Sequence, residues 1–229
     1  METLNVFDTF LWAEDDNTRK TLSRFGKDFE LYKRFFNLLC ETIHHLYELM
    51  EKDPRKIPKT KKIILMITNR IVQLMQSIRV LNLKGYYCEV RVLERCLLES
   101  MGLCAYFALN EEETDNWIRS KGSMAKIRLV DYISLLLGVK GHSGIPFYSK
   151  LSKHVHTDVE AIASLVVDID LEGISFALTP IFDKERASEI SWHPTLMLAI
   201  LRTIFRDELT EKRNGEIMRL LKQYVAEKG

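Results

Sequence analysis

Apolar residues recur at helical spacing, three or four positions apart, along nearly the whole chain. The three strongest stripes cover residues 28–51, a segment that runs from Thr60 to a turn at Gly85, and residues 86–109. Pro54 and Pro58 separate the first two stripes, because proline is poorly tolerated inside a helix. Two long helices joined by a tight turn predict an antiparallel helical hairpin, on which we expect an all-α bundle to be built.

The second half of the chain predicts shorter elements. Helices are expected over residues 110–120, 123–137, 147–156, 159–167, 193–205 and 210–225. Between them, near residues 169–182, apolar spacing becomes irregular and Gly173 interrupts it, which predicts a short irregular or β-like insert. No long linker divides residues 1–229, so we expect a single helical domain, with a bundle core over 26–157 and a C-terminal insert and helices over 158–229.

Composition narrows the class of protein. The chain has 229 residues, and 33 Lys and Arg against 32 Asp and Glu leave a net charge of +1, so no global positive field indicates nucleic acid. Four cysteines without a C-x-x-C pair exclude a disulfide scaffold and a zinc ribbon. The histidines lack metal-ligand spacing, so no metal or other cofactor is expected. Neither a secretory signal nor a membrane-length apolar run is evident, which predicts a cytoplasmic protein that does not bind a membrane.

The third long helix carries charge in an unexpected place. It is apolar on almost every side, as expected for a central helix, yet Arg95 and Glu99 lie within one of its apolar stripes. Their spacing lets them form an ion pair. Two interpretations stay open: an internal ion pair that fixes helix register, or a cleft in which Arg95 holds an anion. Arg91 and Glu94 are expected to point away from this stripe, as solvated or inter-helix charges.

The predicted helix over residues 147–156 contains a second polar cluster. Tyr148, Ser152 and His156 form one row at four-residue spacing, beside an apolar row. A hydroxyl four residues before a histidine can orient its ring, and histidine is the usual general acid or base near neutral pH. His154 lies nearer the apolar row than His156 does, and spacing alone does not choose between the two.

Together the two segments resemble a family of uncharacterised bacterial helical proteins that are HEPN-like. The sequence from Arg95 to Glu99 resembles that family's R-x-x-x-E helix, and the sequence from Tyr148 to His156 resembles its Y-x-x-L-S-x-x-V-H segment. The resemblance covers about residues 86–157.

The resemblance implies an all-α bundle, a homodimer and an RNA-directed role in phage defence or a toxin system, with a metal-independent ribonuclease as one form of it. By that resemblance His156 would act as acid or base on a ribose 2′-hydroxyl, Arg95 would stabilise the developing phosphorane charge, and Glu99 would orient Arg95. The phosphate or the histidine ring would be held by four other residues of the second segment, namely Tyr148, Ser152, Lys153 and His154.

One departure from the family keeps an alternative open. Active HEPN ribonucleases use an R-x(4–6)-H motif, whereas no Arg stands four to six positions before His154 or His156. Arg95 comes from another helix. The alternative is a non-catalytic homodimeric interaction module in which Arg95 and Glu99 form a structural buried ion pair.

Overall fold

The computed structural model describes residues 6–120, 128–138, 166–170, 173–176, 182, 184 and 189–228. Within these residues the chain forms an all-α bundle with one small pair of strands, which confirms the predicted fold class. The elements, in chain order, are α1 (Val6–Lys52), α2 (Lys59–Lys84), α3 (Tyr87–Leu109), α4 (Glu113–Arg119), α5 (Leu129–Leu137), β1 (Val166–Asp170), β2 (Gly173–Phe176), α6 (Trp192–Ile204) and α7 (Glu211–Lys228).

Helices α2 and α3 are joined by a tight turn and pack along each other. Gly85 ends α2 with a positive φ of 89°, and its N–H donates to the carbonyl of Leu81. Glycine adopts this left-handed conformation without the steric cost that a side chain would add. The N–H of Tyr86 donates to the same carbonyl, at 3.0 Å, so the turn satisfies the end of α2 before α3 begins.

Helix α1 is longer than the apolar stripe predicts. It begins at Val6 rather than near Asp28, and it bends at Phe25, whose φ of −116° and ψ of 18° are not helical. The segment before the bend buries Ala13, Asn17 and Thr21 at four-residue spacing. A small residue and two polar ones make no apolar stripe, so periodicity does not reveal this part of the helix. We call Val6–Arg24 the N-terminal arm.

The core joins the hairpin to the C-terminal helices. Leu39, Met75, Leu97, Leu198 and Phe205 are fully buried and come from α1, α2, α3, α6 and the residue that ends α6. Helix α6 contacts α1, α2, α3, α5 and α7, so it lies at the centre of the bundle. The N-terminal and C-terminal parts of the predicted domain therefore share one hydrophobic core.

Several predicted boundaries change. In place of the helix expected over 123–137, the structure describes α5 from Leu129 only, and residues 121–127 lie outside the described residues. The helix expected over 159–167 is wrong at its end, because Val166 opens strand β1. Strands β1 and β2 pair antiparallel, with Ile169 opposite Ile174, inside the segment where an irregular or β-like insert is expected. The helix expected over 147–156 lies outside the described residues.

Thr210 caps the last helix, as predicted. Its hydroxyl oxygen accepts the backbone N–H of Arg213 at 3.2 Å, which satisfies one of the unpaired donors at the start of α7. Among the described residues, no helix is both long and apolar enough to cross a membrane.

Candidate functional site

The Arg95–Glu99 ion pair forms as its spacing predicts. Arg95 Nε donates to Glu99 Oε1 at 3.0 Å. The side chains keep 23% and 38% of their exposure, so the pair is reached by solvent and is not a buried ion pair. The structural interpretation of Arg95 and Glu99 as a buried pair is therefore wrong in this respect, because their stripe of α3 is only partly covered.

The stripe of α3 that carries Arg95 and Glu99 continues through Gly102 and Tyr106, and helix α5 covers this second part of it. A Cβ placed on Gly102 would lie 2.5 Å from the carbonyl oxygen of Leu129, so the backbone of α5 lies directly against α3. One turn further along α3, the ring of Tyr106 meets that of Tyr132 edge-on, with centroids 4.8 Å apart. Gly102 and Tyr106 are buried, whereas Arg95 and Glu99 lie on the turns before this contact. The absence of a side chain at Gly102 thus lets the backbone of α5 approach α3 this closely.

A second ionic cluster, centred on the residue before Arg95, has two fully buried members, Glu94 and His193. Glu94 Oε1 lies 3.1 Å from Nε2 of His193 on α6, and the side chains are 1% and 0% exposed. Glu94 Oε2 accepts Nη1 of Arg91 at 2.8 Å. Of the two alternatives expected for Arg91 and Glu94, solvated or inter-helix charges, Glu94 follows the second, because it contacts His193 of α6. Glu94 faces inward because Val90, Leu97 and Leu98, its neighbours on that face of α3, are buried too.

The partners of Glu94 stabilise its ionised form. Burial raises the pKa of Glu94, but the hydrogen bonds and charges of His193 and Arg91 outweigh burial, so its pKa lies below the ordinary value. An ionised carboxylate has only acceptors, so Nε2 of His193 carries the proton in this contact. The pair is therefore a directed hydrogen bond from α6 to α3.

The other ring nitrogen of His193 lacks a partner within the described part of the chain. Nδ1 is buried and makes no hydrogen bond there. The ring lies against Trp192, with centroids 4.0 Å apart. A buried polar atom without a partner costs about 1–3 kcal/mol, which partly offsets what the Glu94 contact contributes. Since the side chain is shielded from solvent, His193 does not reach a substrate in this conformation.

A carboxylate on α1 holds the start of α6. Asp28 Oδ2 accepts the backbone N–H of Ile190 at 2.7 Å and that of Ser191 at 3.3 Å. The Ser191 hydroxyl donates to Asp28 Oδ1. Asp28 therefore caps α6, where orphan N–H donors and the positive end of the helix dipole favour a carboxylate. This contact fixes the start of α6, where His193 is the second residue.

Of the residues predicted to form the site, the structure brings Arg95 and Glu99 together. The others fall outside the described residues, namely Tyr148, Ser152, Lys153, His154 and His156. Among the described residues, no group of three or more His, Cys, Asp or Glu side chains converges on a point where a metal ion could bind. Cys104 is buried, and burial raises the pKa of its thiol to about 12, whereas Cys40, Cys88 and Cys96 are half-buried.

The Glu94–His193 pair is what sequence reasoning missed. The signal was present, because Glu94 stands four residues after Val90 and three before Leu97, on an apolar face. Its partner was not visible, since His193 lies 99 positions away. No family model, curated protein or solved structure matches the chain, so the HEPN-like resemblance rests on its two motifs alone.

Proposed function

We propose that the chain is a HEPN-like helical protein with an RNA-directed role, in which the Arg95–Glu99 pair binds a phosphate of the RNA. The observation that supports this proposal is the partial exposure of the pair on α3, a helix that packs against α2, α5 and α6. A charge pair that only braced the bundle would be expected where Glu94 and His193 are, out of contact with water. Arg95 instead lies where an anion can approach it.

The contact geometry suits this role. Glu99 engages the guanidinium through Nε, and Nη1 is buried, so Nη2, which carries two N–H donors, is the group that would hold an anion. Arginine keeps its positive charge at any ordinary pH, which suits contact with a phosphate. Glu99 would thus act as a positioning residue that holds Arg95 extended toward the phosphate.

We further propose that the role is metal-independent RNA cleavage in a phage-defence or toxin system. His156 would take or give the proton of a ribose 2′-hydroxyl, and Arg95 would stabilise the charge that develops on the phosphorane. Tyr148, Ser152, Lys153 and His154 would hold the phosphate or the histidine ring. This part of the proposal rests on the resemblance, with the half-exposed Arg95 as the described residue that fits it.

The test is RNA cleavage by the purified protein in EDTA. Arg95→Ala, His156→Ala and His154→Ala would be compared with wild type, and Arg70→Ala, which changes an exposed arginine of α2, is the matched control. We expect wild type and the Arg70 variant to cleave, and the Arg95 and His156 variants to lose about 100-fold or more in rate. Thermal unfolding of each variant would show that it is folded.

Two results would contradict parts of this proposal. Loss of cleavage on adding EDTA would overturn the metal-independent mechanism. No cleavage of several RNAs by wild type would leave the alternative, a non-catalytic interaction module, as the better description of the protein.

A further inference from the structure

The outer face of the N-terminal arm is more apolar than a solvent-exposed helix face needs to be. Trp12 is 65% exposed, and Leu11 and Leu22 are each 45% exposed. The opposite face, with Ala13, Asn17 and Thr21, is buried against the protein. Large apolar side chains grouped on an exposed face mark an interaction surface more often than isolated ones do.

Polar contacts fix the arm on the protein with this face outward. Asn17 Nδ2 donates to the carbonyl of Lys84 at 3.2 Å, and the Tyr86 hydroxyl donates to Glu14 Oε1 at 2.8 Å. Lys84 also forms an ion pair with Glu14. The arm is therefore held at the turn between α2 and α3, and its outer face is presented in one orientation.

The residues on the outer face form a self-complementary pattern. Helical residues are about 100° apart, which places Leu11, Trp12, Asp15, Arg19 and Leu22 on one strip about 100° wide. Leu11 and Leu22 stand at its two ends, and Asp15 and Arg19 stand between them. The midpoints of both pairs fall at positions 16–17. A twofold rotation about an axis perpendicular to the helix therefore places Leu11 of one copy against Leu22 of the other. The same rotation places Asp15 of one copy against Arg19 of the other.

From this pattern we propose that two copies of the chain associate through the outer faces of their N-terminal arms, antiparallel across a twofold axis near position 17. Leu11 of each copy packs on Leu22 of the other, and Asp15 of each copy faces Arg19 of the other. Such a contact is isologous, because the same surface serves both partners. A parallel arrangement would place Asp15 on Asp15 and Arg19 on Arg19, which like-charge repulsion opposes.

We assign a second copy of the chain as the partner of this face. In an antiparallel twofold pair each charge of the strip meets the opposite charge of the other copy, which is the pattern that a homodimer of this kind requires. Asp15 and Arg19 are both exposed, and the contact that Arg19 makes with Asp16 is long, at 3.5 Å, so Arg19 can turn toward a partner. A single pair of short helices buries less than the roughly 1,200–2,000 Å² of stable complexes, so the dimer dissociates on dilution. This inference does not rest on the proposed RNA-directed role.

Charge reversal tests the arrangement. The full-length chain would be studied by sedimentation velocity, without RNA, from about 1 to about 100 µM, a range chosen for a weak complex. Wild type is expected to shift from monomer to dimer across this range. Asp15→Arg alone and Arg19→Asp alone each place like charges at both central contacts, so each raises the dissociation constant about tenfold or more.

Mixing the two single variants is the most discriminating part of the experiment. An equimolar mixture of the Asp15→Arg chain and the Arg19→Asp chain restores opposite charges between unlike copies, so a heterodimer forms at concentrations where each variant alone is monomeric. The combined variant Asp15→Arg/Arg19→Asp also regains the homodimer. Lys20→Glu reverses a charge on the same arm but off the strip, and it leaves the dimer intact.

Circular dichroism would confirm that every variant keeps its helicity. A wild-type chain that stays monomeric over the whole range overturns the proposal. A dimer that is indifferent to the single reversals, or a mixture that behaves as the sum of its parts, also overturns it. Failure here would leave the RNA-cleavage test unaffected, since that test measures activity and not association.

Discussion

His193 Nε2 lies 3.1 Å from Glu94 Oε1, and neither side chain is reached by solvent. This contact joins α6 to α3 in the middle of the bundle. Because Glu94 precedes Arg95 directly, turning Glu94 toward α6 directs Arg95 to a different side of α3, about 100° around the helix. The buried pair thereby sets which face of α3 carries the half-exposed ion pair.

Removing His193 should destabilise the protein strongly. His193→Ala leaves Glu94 buried with Arg91 as its remaining partner, and breaking a buried pair costs about 3–5 kcal/mol. His193→Gln, which can still donate to a carboxylate, should lose less. The free energy of unfolding in urea would measure both effects.

Replacing both Glu94 and His193 separates two contributions to the free energy of unfolding. One is the net stabilisation by the pair, and the other is the cost of leaving the Glu94 carboxylate buried without His193. Glu94→Leu/His193→Leu should be more stable than His193→Ala, because apolar side chains need no partner. A double variant less stable than His193→Ala would mean that packing around the ring, and not the charge on Glu94, dominates.

Stability should fall in acid through Glu94. Its pKa in the folded protein is lower than the ordinary 4.5, so below pH 4.5 the unfolded chain binds a proton that the folded chain resists. Its contribution is therefore present above pH 4.5 and is lost as pH falls through the folded value. The free energy of unfolding from about pH 3 to pH 7 would be measured for wild type and Glu94→Gln. The wild-type curve should fall more steeply below pH 4.5, and parallel curves would refute this.

Gly102 should not tolerate a larger residue. Gly102→Ala brings a Cβ to 2.5 Å from a backbone oxygen of α5, which must move, at a cost of about 1–3 kcal/mol. Gly215→Ala is the matched control, because a Cβ there meets nothing within 4 Å and alanine favours a helix by about 0.5–1 kcal/mol. Thermal unfolding should therefore shift in opposite directions for the two variants. A shift in the same direction would contradict the close approach of α5.

The stability of the first turn of α6 should depend on Asp28. Asp28→Ala removes the acceptor of two backbone N–H groups and of the Ser191 hydroxyl, all buried, which should cost about 1–3 kcal/mol. Hydrogen exchange at Ile190 and Ser191 should accelerate more than exchange in the centre of α3. Glu30→Ala, at an exposed position of the same helix, should leave both rates unchanged.

Sequence periodicity could predict the bundle because each helix that packs on the core carries large apolar residues at three- or four-residue spacing. The α2–α3 helices and the Thr210 cap follow from such local signals. The N-terminal arm could not be predicted, since its buried face is small and polar. Asp28 and His193 could not be assigned either, because their partners come from distant parts of the chain, and a sequence read alone does not show which helices meet.

The candidate site was predictable only in part, for the same reason. The Arg95–Glu99 pair is a contact within one helix, and its four-residue spacing is enough to predict it. Its partial exposure depends on the placement of α5, which begins at Leu129, against Gly102, beyond the pair on α3. The buried partner of Glu94 depends on the placement of α6.

The most direct test of the RNA-directed role is the affinity of the Arg95→Ala chain for a short single-stranded RNA, measured by fluorescence anisotropy at several salt concentrations. If Arg95 binds a phosphate, the variant should bind about tenfold more weakly than wild type, and the slope of log affinity against log salt should decrease by about one. Thermal unfolding of the variant would be measured alongside, so that a loss of affinity is separated from a loss of folding; the i,i+4 pair itself contributes only about 0.3–0.5 kcal/mol. An Arg95→Ala chain with wild-type affinity and slope would contradict the proposed role of Arg95.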